Sequence, residues 1–531
     1  MSSRFVEAYI GGAARPFLRR HLRDAGDRRA AVQAAARPLS PAVARALVAQ
    51  NARFQPSAAR DGHLAALAGG AAAVVTGQQV GLFLGPLYTT YKAASAIVLA
   101  RVLAAETGRP VVPVFWLQTE DHDLPEIASC RISRAGSDVL ELALPADAAD
   151  RTSIAHRTLP DGVAVLLDRL HAELAHLPGG EAHSARLVRQ YRPGAGWADA
   201  FAGVLADLFA PEGLVIFDPR DPALAAAAAP VHARALLRAG PIAEALTGRV
   251  RELEAAGFDA QVRVREGAPL SFFHPDGAKG PRYRLTPAGH GYACSGRSGG
   301  EAPFTTERLL EALEADPLAF STSALLRPIL QDTLLPTAAY VGGPAEVAYF
   351  AQLAPLYAEF GLPEPLVVPR ASFRVIDDRA ERVLARHGLV PADAAVPEDA
   401  LLARCRTGAA PAAEADLVRG LVGPFEAALD TLAPALQATG PGIDAAIAKT
   451  RGKVRDAVEK LAAKLDAARL HADGALVGDV RRLQRLLYPD GMPQERYYGL
   501  ASFAARLGER TFLERVLEAV DPLDPAPRDL R

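Results

Sequence analysis

Four consecutive ionisable residues, Glu120-Asp121-His122-Asp123, follow closely on the apolar run from Pro110 to Leu117. Three carboxylates and an imidazole at such spacing either pair or repel, which moves their proton affinities. At a strand end that faces a ligand crevice, these groups act as general acid or base, as metal ligands, or as orienters of an amine. Asp123 also suits the N-cap of the next segment, with Glu126 at the capping-box position. Glu120 and His122 are then expected to face a substrate. Glu120, Asp121, His122 and Asp123 form the expected catalytic set, with Trp116 beside them as a binding residue.

Two glycine-containing turns carry the other candidates. In the first, Thr76-Gly77-Gln78-Gln79 leads through Gly85-Pro86 to Tyr88 and Lys92 in the first turns of a helix. Unpaired N–H groups at a helix start and close backbone approach at glycine suit a nucleotide or a carboxylate, and Lys92 adds a full charge. The spacing is neither G-x-G-x-x-G nor the Walker pattern. In the second, Arg327, Gln331 and Asp332 precede a short strand containing Tyr340, which turns through Gly342-Gly343-Pro344 into a helix with Glu346 and Tyr349. Arg370 follows a later strand. Each of these charges also suits a structural ion pair, but their gathering about one turn marks a functional surface.

The elements that must position these residues read as α/β. Strands are expected at Ala73–Thr76, Pro110–Leu117, Gly213–Phe217, Ala260–Arg265, Leu270–His274 and Leu366–Pro369, with a long helix running from Gly85-Pro86 to near Gly108. Residues 110–117 are apolar on both faces, as in a covered parallel sheet. A doubly wound core over residues 1–375 is expected, with inserted subdomains near 140–210 and 240–320. A helical arm over 376–490 and a helical segment over 491–531 follow. In the arm, Leu417, Leu421, Phe425, Leu429, Leu432 and Leu436 recur at helical spacing, and Gly423-Pro424 is expected to break or kink the run. Beyond a Gly440-Pro441-Gly442 turn, Ile447, Val454, Leu461 and Ala468 repeat every seventh residue, with Val458 and Leu465 complementary. Two such stretches predict an antiparallel coiled-coil hairpin.

Composition narrows the function classes. The 531 residues carry 59 basic and 61 acidic side chains, so no field of one sign draws nucleic acid or an anionic membrane. No apolar stretch spans a bilayer, and Glu7 interrupts the start before a signal peptide can form. A cytoplasmic protein is expected. Cys130, Cys294 and Cys405 lie far apart, without a Cys-x-x-Cys pair, so no metal-ligand set is recognised.

Residues 76–93, 113–127 and 325–353, together with Val367–Ser372 and Pro493-Gln494-Glu495-Arg496-Tyr497-Tyr498, resemble the bacillithiol biosynthesis cysteine-adding enzymes, also called cysteine ligases. The likeness runs in order over most of the chain. It implies a Rossmann-like, nucleotidyltransferase-like core with inserted connecting subdomains and a C-terminal coiled-coil arm, commonly dimeric. It also implies a last pathway step that joins cysteine to glucosaminyl malate by an amide bond, with ATP or another adenine nucleotide activating the cysteine carboxylate. The implied roles are anion binding at Gly77, Gly85, Gly342 and Gly343, charge neutralisation at Lys92 and Arg327, and handling of the amine by Glu120, Asp121 or His122. The core also resembles that of class I aminoacyl-tRNA synthetases, whose histidine signature would fall near Gly85-Pro86-Leu87-Tyr88; no histidine stands there. Another nucleotide-dependent amide ligase or nucleotidyltransferase, and a non-catalytic coiled-coil assembly protein, are the alternatives.

Overall fold

The computed structural model describes residues 4–134, 138–297, 303–405, 413–437, 440 and 442–531, with the backbone alone for Gln437 and Leu470. Two compact units emerge, one built from the residues up to Arg134, Val139–Phe373 and Glu495–Leu530, the other centred on Arg374–Gln494. Among the described residues no helix is long and apolar enough to cross a membrane.

The first unit is organised by a five-stranded parallel sheet. Its strands are β1 (Ala72–Gln78), β2 (Val111–Leu117), β3 (Val215–Phe217), β4 (Thr337–Gly342) and β5 (Leu366–Pro369), in the spatial order β5-β4-β1-β2-β3. All seven residues of β2 are buried, because helices cover both faces of the sheet. Between β1 and β2 runs α1 (Tyr88–Thr107), whose first half is almost wholly buried and which ends on left-handed Gly108. The helix starts later than Gly85-Pro86 suggests: a short 3₁₀ turn over Leu82–Leu84 and a cis Gly85-Pro86 bond precede it. The expected polar turn at Gly77-Gln78 is instead the last part of β1.

The long connections hold the insertions. Between β2 and β3 lie a hairpin (Ser129–Ser133 with Val139–Ala143) and the helices Gly162–Leu174, Gly180–Gln190 and Trp197–Leu208. Between β3 and β4 a separate antiparallel sheet orders Gly291–Cys294, Tyr283–Ala288, Ser271–Phe273 and Phe320–Thr322 side by side. The strand expected at Leu270–His274 therefore exists, but in this sheet and not in the parallel one. The strand expected at Ala260–Arg265 does not form. There the Gln352 side-chain amide bonds both Val262 N (3.0 Å) and Val262 O (2.9 Å), taking the place of a neighbouring strand. From the carboxyl end of the chain, Tyr498 O accepts from Leu87 N (2.8 Å) and Arg131 O accepts from Gly499 N (2.8 Å), so residues 495–530 are part of the first unit's packing.

The second unit carries the hairpin of long helices. Ala413–Arg419 and Val422–Gln437 run antiparallel to Ile443–Ala472, as the falling pairing shows: Arg419 with Asp466 (2.7 Å), Glu426 with Arg455, and Asp430 with Arg451. The chain breaks at Gly420-Leu421, ahead of the expected Gly423-Pro424, because Pro424 fits the first turn of a helix, where its missing N–H has no partner to lose. Pro441 of the expected turn lies outside the described residues. The buried face of the long helix drifts off the heptad. Ile447, Val454, Val458, Ala462 and Leu465 turn inward, while Leu461 is 50% exposed and Ala468 is exposed as well. A straight helix of 3.6 residues per turn cannot keep a seven-residue stripe on one side, and here Ala462 replaces Leu461 at the contact with Ala415.

Candidate functional site

The strand order reverses between β1 and β4, and a cavity of about 430 Å³ opens at the carboxyl ends of β1, β2 and β4. Open α/β sheets bind ligands at this switch point, because the connections leave in opposite directions and part. Gly77, Gln78 and Gln79 come from β1 and its exit, and Gln118, Asp121 and His122 from the exit of β2. Arg327, Tyr340, Glu346 and Tyr349 flank β4. Phe272, Arg282, Arg284, Thr322 and Ser323 come from the antiparallel sheet and the residues beside it.

Asp121 is the most firmly held of these groups. Its carboxylate accepts from Gln79 Nε2 (2.9 Å), from the His122 backbone N (2.8 Å) and from Arg282 Nη1 (3.0 Å). Burial raises its proton affinity, but His122, Arg282 and Gln79 together outweigh burial and hold the carboxyl well below the usual range. His122 Nδ1 lies 3.4 Å from Asp121 Oδ1 and makes no hydrogen bond within the chain, so the ring presents an unused nitrogen beside a fixed anion. Arg282 is fully committed: Nε bonds Ser321 Oγ (3.1 Å), Nη2 bonds Thr322 O (2.6 Å), and its Cζ stands 3.9 Å from the Phe272 ring centroid.

A second charged group lies behind the turn after β4. Lys92 Nζ donates to Gly77 O (2.7 Å), Gln78 Oε1 (3.0 Å) and Glu346 Oε2 (2.5 Å). Tyr340 OH donates to the other oxygen of Glu346 (2.6 Å) and Gly343 N to the first (2.7 Å). Burial raises the Glu346 carboxyl, but Lys92, Tyr340 and Arg327 overcome it and keep Glu346 below its ordinary value. Arg327 donates to Tyr340 OH (3.1 Å), Tyr349 OH (2.5 Å) and Gln331 Oε1 (3.0 Å). Glycine is required twice in this frame. A Cβ on Gly77 would meet the Trp116 carbonyl oxygen at 3.0 Å, and one on Gly342 would meet Glu346 Cβ at 2.9 Å.

Of the expected catalytic set, Asp121 and His122 line the cavity and the other two do not. Glu120 turns inward to accept from Thr322 N (3.3 Å) and the Thr322 hydroxyl, and Asp123 caps Leu124–Ile127 through Glu126 N (3.3 Å). Glu126 does not close a capping box; it accepts from Gln79 (2.8 Å). Of the expected binding residues, Gly77, Gln78, Gln79, Arg327, Tyr340 and Glu346 line the cavity. Thr76 ties β1 to Val341 O (2.8 Å), Trp116 is buried and stacks on Phe217 at 4.5 Å, and Gln331 and Asp332 lie behind Arg327. Tyr88 accepts from Gln78 Nε2 (3.1 Å), with Arg370 and Arg496 at 5.0 and 5.7 Å from its ring centroid, and Arg370 pairs with Glu495 (2.5 Å). Gly85-Pro86 is not part of the cavity wall.

Sequence reasoning missed Phe272, Arg282, Arg284 and Thr322. The available signal was Arg282-Tyr283-Arg284, two arginines spaced to share one face of a strand. Among the described residues no group of three or more His, Cys, Asp and Glu is placed to hold a metal ion, and burial pushes the Cys130 thiol up to about 12, where it is inert. The site fits an anion by charge, since Arg282, Arg284 and Arg327 line it against Asp121 and Glu346, and Glu346 is already paired with Lys92. The glycine amides do not supply this fit: Gly343 N is already bonded to Glu346 and Gly85 lies elsewhere, so guanidinium groups would have to hold a phosphate.

The model of the bacillithiol biosynthesis BshC N-terminal Rossmann-like domain matches residues 4–371, and that of the BshC C-terminal coiled-coil domain matches residues 375–526. Relatives named "Putative cysteine ligase BshC" include one from Koribacter versatilis, 35% identical over 88% of this chain and 85% of its own. Another, from Solibacter usitatus, is 34% identical over 83% of this chain and 80% of its own. A third, from Heliobacterium modesticaldum, is 39% identical over 60% of this chain and 58% of its own. Across both units, therefore, the chain belongs to the bacillithiol biosynthesis BshC family of ligases.

Proposed function

We propose that this chain joins the carboxylate of cysteine to the amine of glucosaminyl malate, the last step in making bacillithiol, in the cytoplasm and as a homodimer. The observation that carries the reading is the Asp121–His122 pair at the switch-point cavity, walled by guanidinium groups. An amine attacks a carbonyl carbon only once its nitrogen is unprotonated, and the new C–N bond releases a further proton. His122 takes that proton, with Asp121 stabilising the imidazolium that results. Arg327, held in place by Tyr340, Tyr349 and Gln331, offsets negative charge that develops on the acyl oxygen. A carboxylate is a poor electrophile, and a bound adenine nucleotide would supply its activation by giving the carboxylate oxygen a phosphoryl or adenylyl group, so that phosphate or AMP would leave as the C–N bond forms, with guanidinium groups of the cavity wall holding the phosphates.

Incubating the purified chain with cysteine, glucosaminyl malate and ATP should yield bacillithiol by mass spectrometry. No product, with or without ATP, would sink the reading.

A further inference from the structure

The antiparallel sheet brings a cation to the cavity that the chain itself does not neutralise. Arg284 stands directly opposite Phe272 in the strand pairing, and its Cζ lies 5.5 Å from the Phe272 ring centroid. Arg282 occupies the same ring at 3.9 Å but is committed to Asp121, Ser321 and Thr322. The charges acting on Arg284 are Arg265 and Arg282, both of its own sign, and among the described residues it makes no ion pair. Like charges gathered beside a cavity repel, and an anion entering between them relieves that repulsion.

We propose that Arg284, laid against Phe272, is the anchor for an anionic oxygen group, a carboxylate or a phosphate, on the ligand that enters the switch-point cavity. The proposal rests on the ligase reading for the identity of the ligand, since the acceptor's malyl carboxylates and a nucleotide's phosphates both supply this chemistry. A guanidinium backed by an aromatic ring keeps its fork in a fixed plane, which favours two parallel N–H···O bonds over a single point contact. The other cations are engaged within the chain: Lys92 is closed off by Glu346, Arg282 by Asp121, and the guanidinium of Arg327 already donates to Tyr340, Tyr349 and Gln331.

Calorimetric titration of the full chain with malate and, separately, with inorganic pyrophosphate tests this in the wild type, R284Q and R284K, with each variant's melting curve checked first. At least one anion should bind the wild type, with Kd raised about tenfold or more in R284Q and by less in R284K, which keeps charge but loses the fork. A malate effect assigns the site to carboxylates, and a pyrophosphate effect to phosphate. If neither anion binds the wild type, or folded R284Q binds as the wild type does, the proposal fails; should R284Q not fold, an unchanged Kd in R284K overturns it instead. The product assay separates the two claims. A wild type that makes bacillithiol beside an R284Q with normal anion affinity sinks the anchor alone. A wild type that makes none, with anion binding lost in R284Q, sinks the ligase reading and leaves the anchor standing.

Discussion

At the scale of single residues, Asp332 gives the clearest pH signature. Gln331 Nε2 donates to one of its oxygens (2.9 Å) and Tyr357 OH to the other (2.6 Å), while Arg37 bonds its backbone carbonyl (2.8 Å). Burial raises its carboxyl, and Tyr357, Gln331 and Arg327 only partly oppose this, leaving it at about 6 against an ordinary 3.8. The folded state therefore holds a proton that the unfolded chain has released, so this contribution to stability is full below about pH 4 and is lost as pH rises through about 6. At about 1.4 kcal/mol per pKa unit, the loss is on the order of 3 kcal/mol. Asp332→Asn cannot ionise, so its melting temperature should gain on the wild type between pH 4 and 7 and run parallel above; a constant difference across that range would refute the assignment. For chemistry, His122→Ala should lower the rate of amide formation by about 10²–10⁴-fold while leaving the melting temperature near wild type, read in the product assay. Asp121 and His122 were legible because they adjoin a strand end in sequence. Arg282 and Arg284 were not, because they reach the same cavity from an insertion whose strands belong to another sheet.

At the scale of elements, the legible part was whatever buries itself by a simple period. β2 and β5 are continuous apolar runs, β1 begins as one before its polar end at Thr76-Gly77-Gln78, and all three stand close to where the sequence puts them. Ala260–Arg265 alternates like a strand, yet pairs with the side-chain amide of Gln352, a long-range partner that no local pattern announces. The heptad reading failed in a similar way, since helix geometry turned Leu461 outward and chose Ala462. A close joint within the parallel sheet is Gly77 on β1 against Trp116 on β2. A methyl there would meet the Trp116 carbonyl oxygen at 3.0 Å and its Cβ at 3.2 Å, and both atoms belong to a strand paired on either side. Gly77→Ala should therefore force the strands apart, weaken the Lys92 bond to Gly77 O, and cost about 1–3 kcal/mol in denaturant unfolding. A loss under about 0.5 kcal/mol would show that the joint yields more easily than its geometry implies.

At the scale of the whole molecule, the proposed homodimer finds its support in surface that the hairpin leaves uncovered. Leu417 is 75% exposed, Leu432 54% and Leu461 50% on helices of the second unit, and Leu421, 59% exposed, lies on the turn between the first two of them. Single exposed leucines are ordinary, but four on one hairpin are the composition of a surface that expects a partner. The hairpin's own core is thin, with Ala415 and Ala462 its fully buried pair and Val418 and Leu465 packed on them. Much of its helical stability must then come from the charged pairs along its length or from apolar contact with another copy. Exposed ion pairs contribute little, about 0–1 kcal/mol each, which favours the second source. Light scattering of the full chain should give twice the chain mass of 55.9 kDa. The triple substitution Leu417→Glu, Leu432→Glu and Leu461→Glu should halve the mass and lower the helical signal, because the hairpin then loses the apolar contact that a second copy supplies. A variant that stays dimeric would remove this face from the interface, and a wild type of monomer mass would remove the dimer itself.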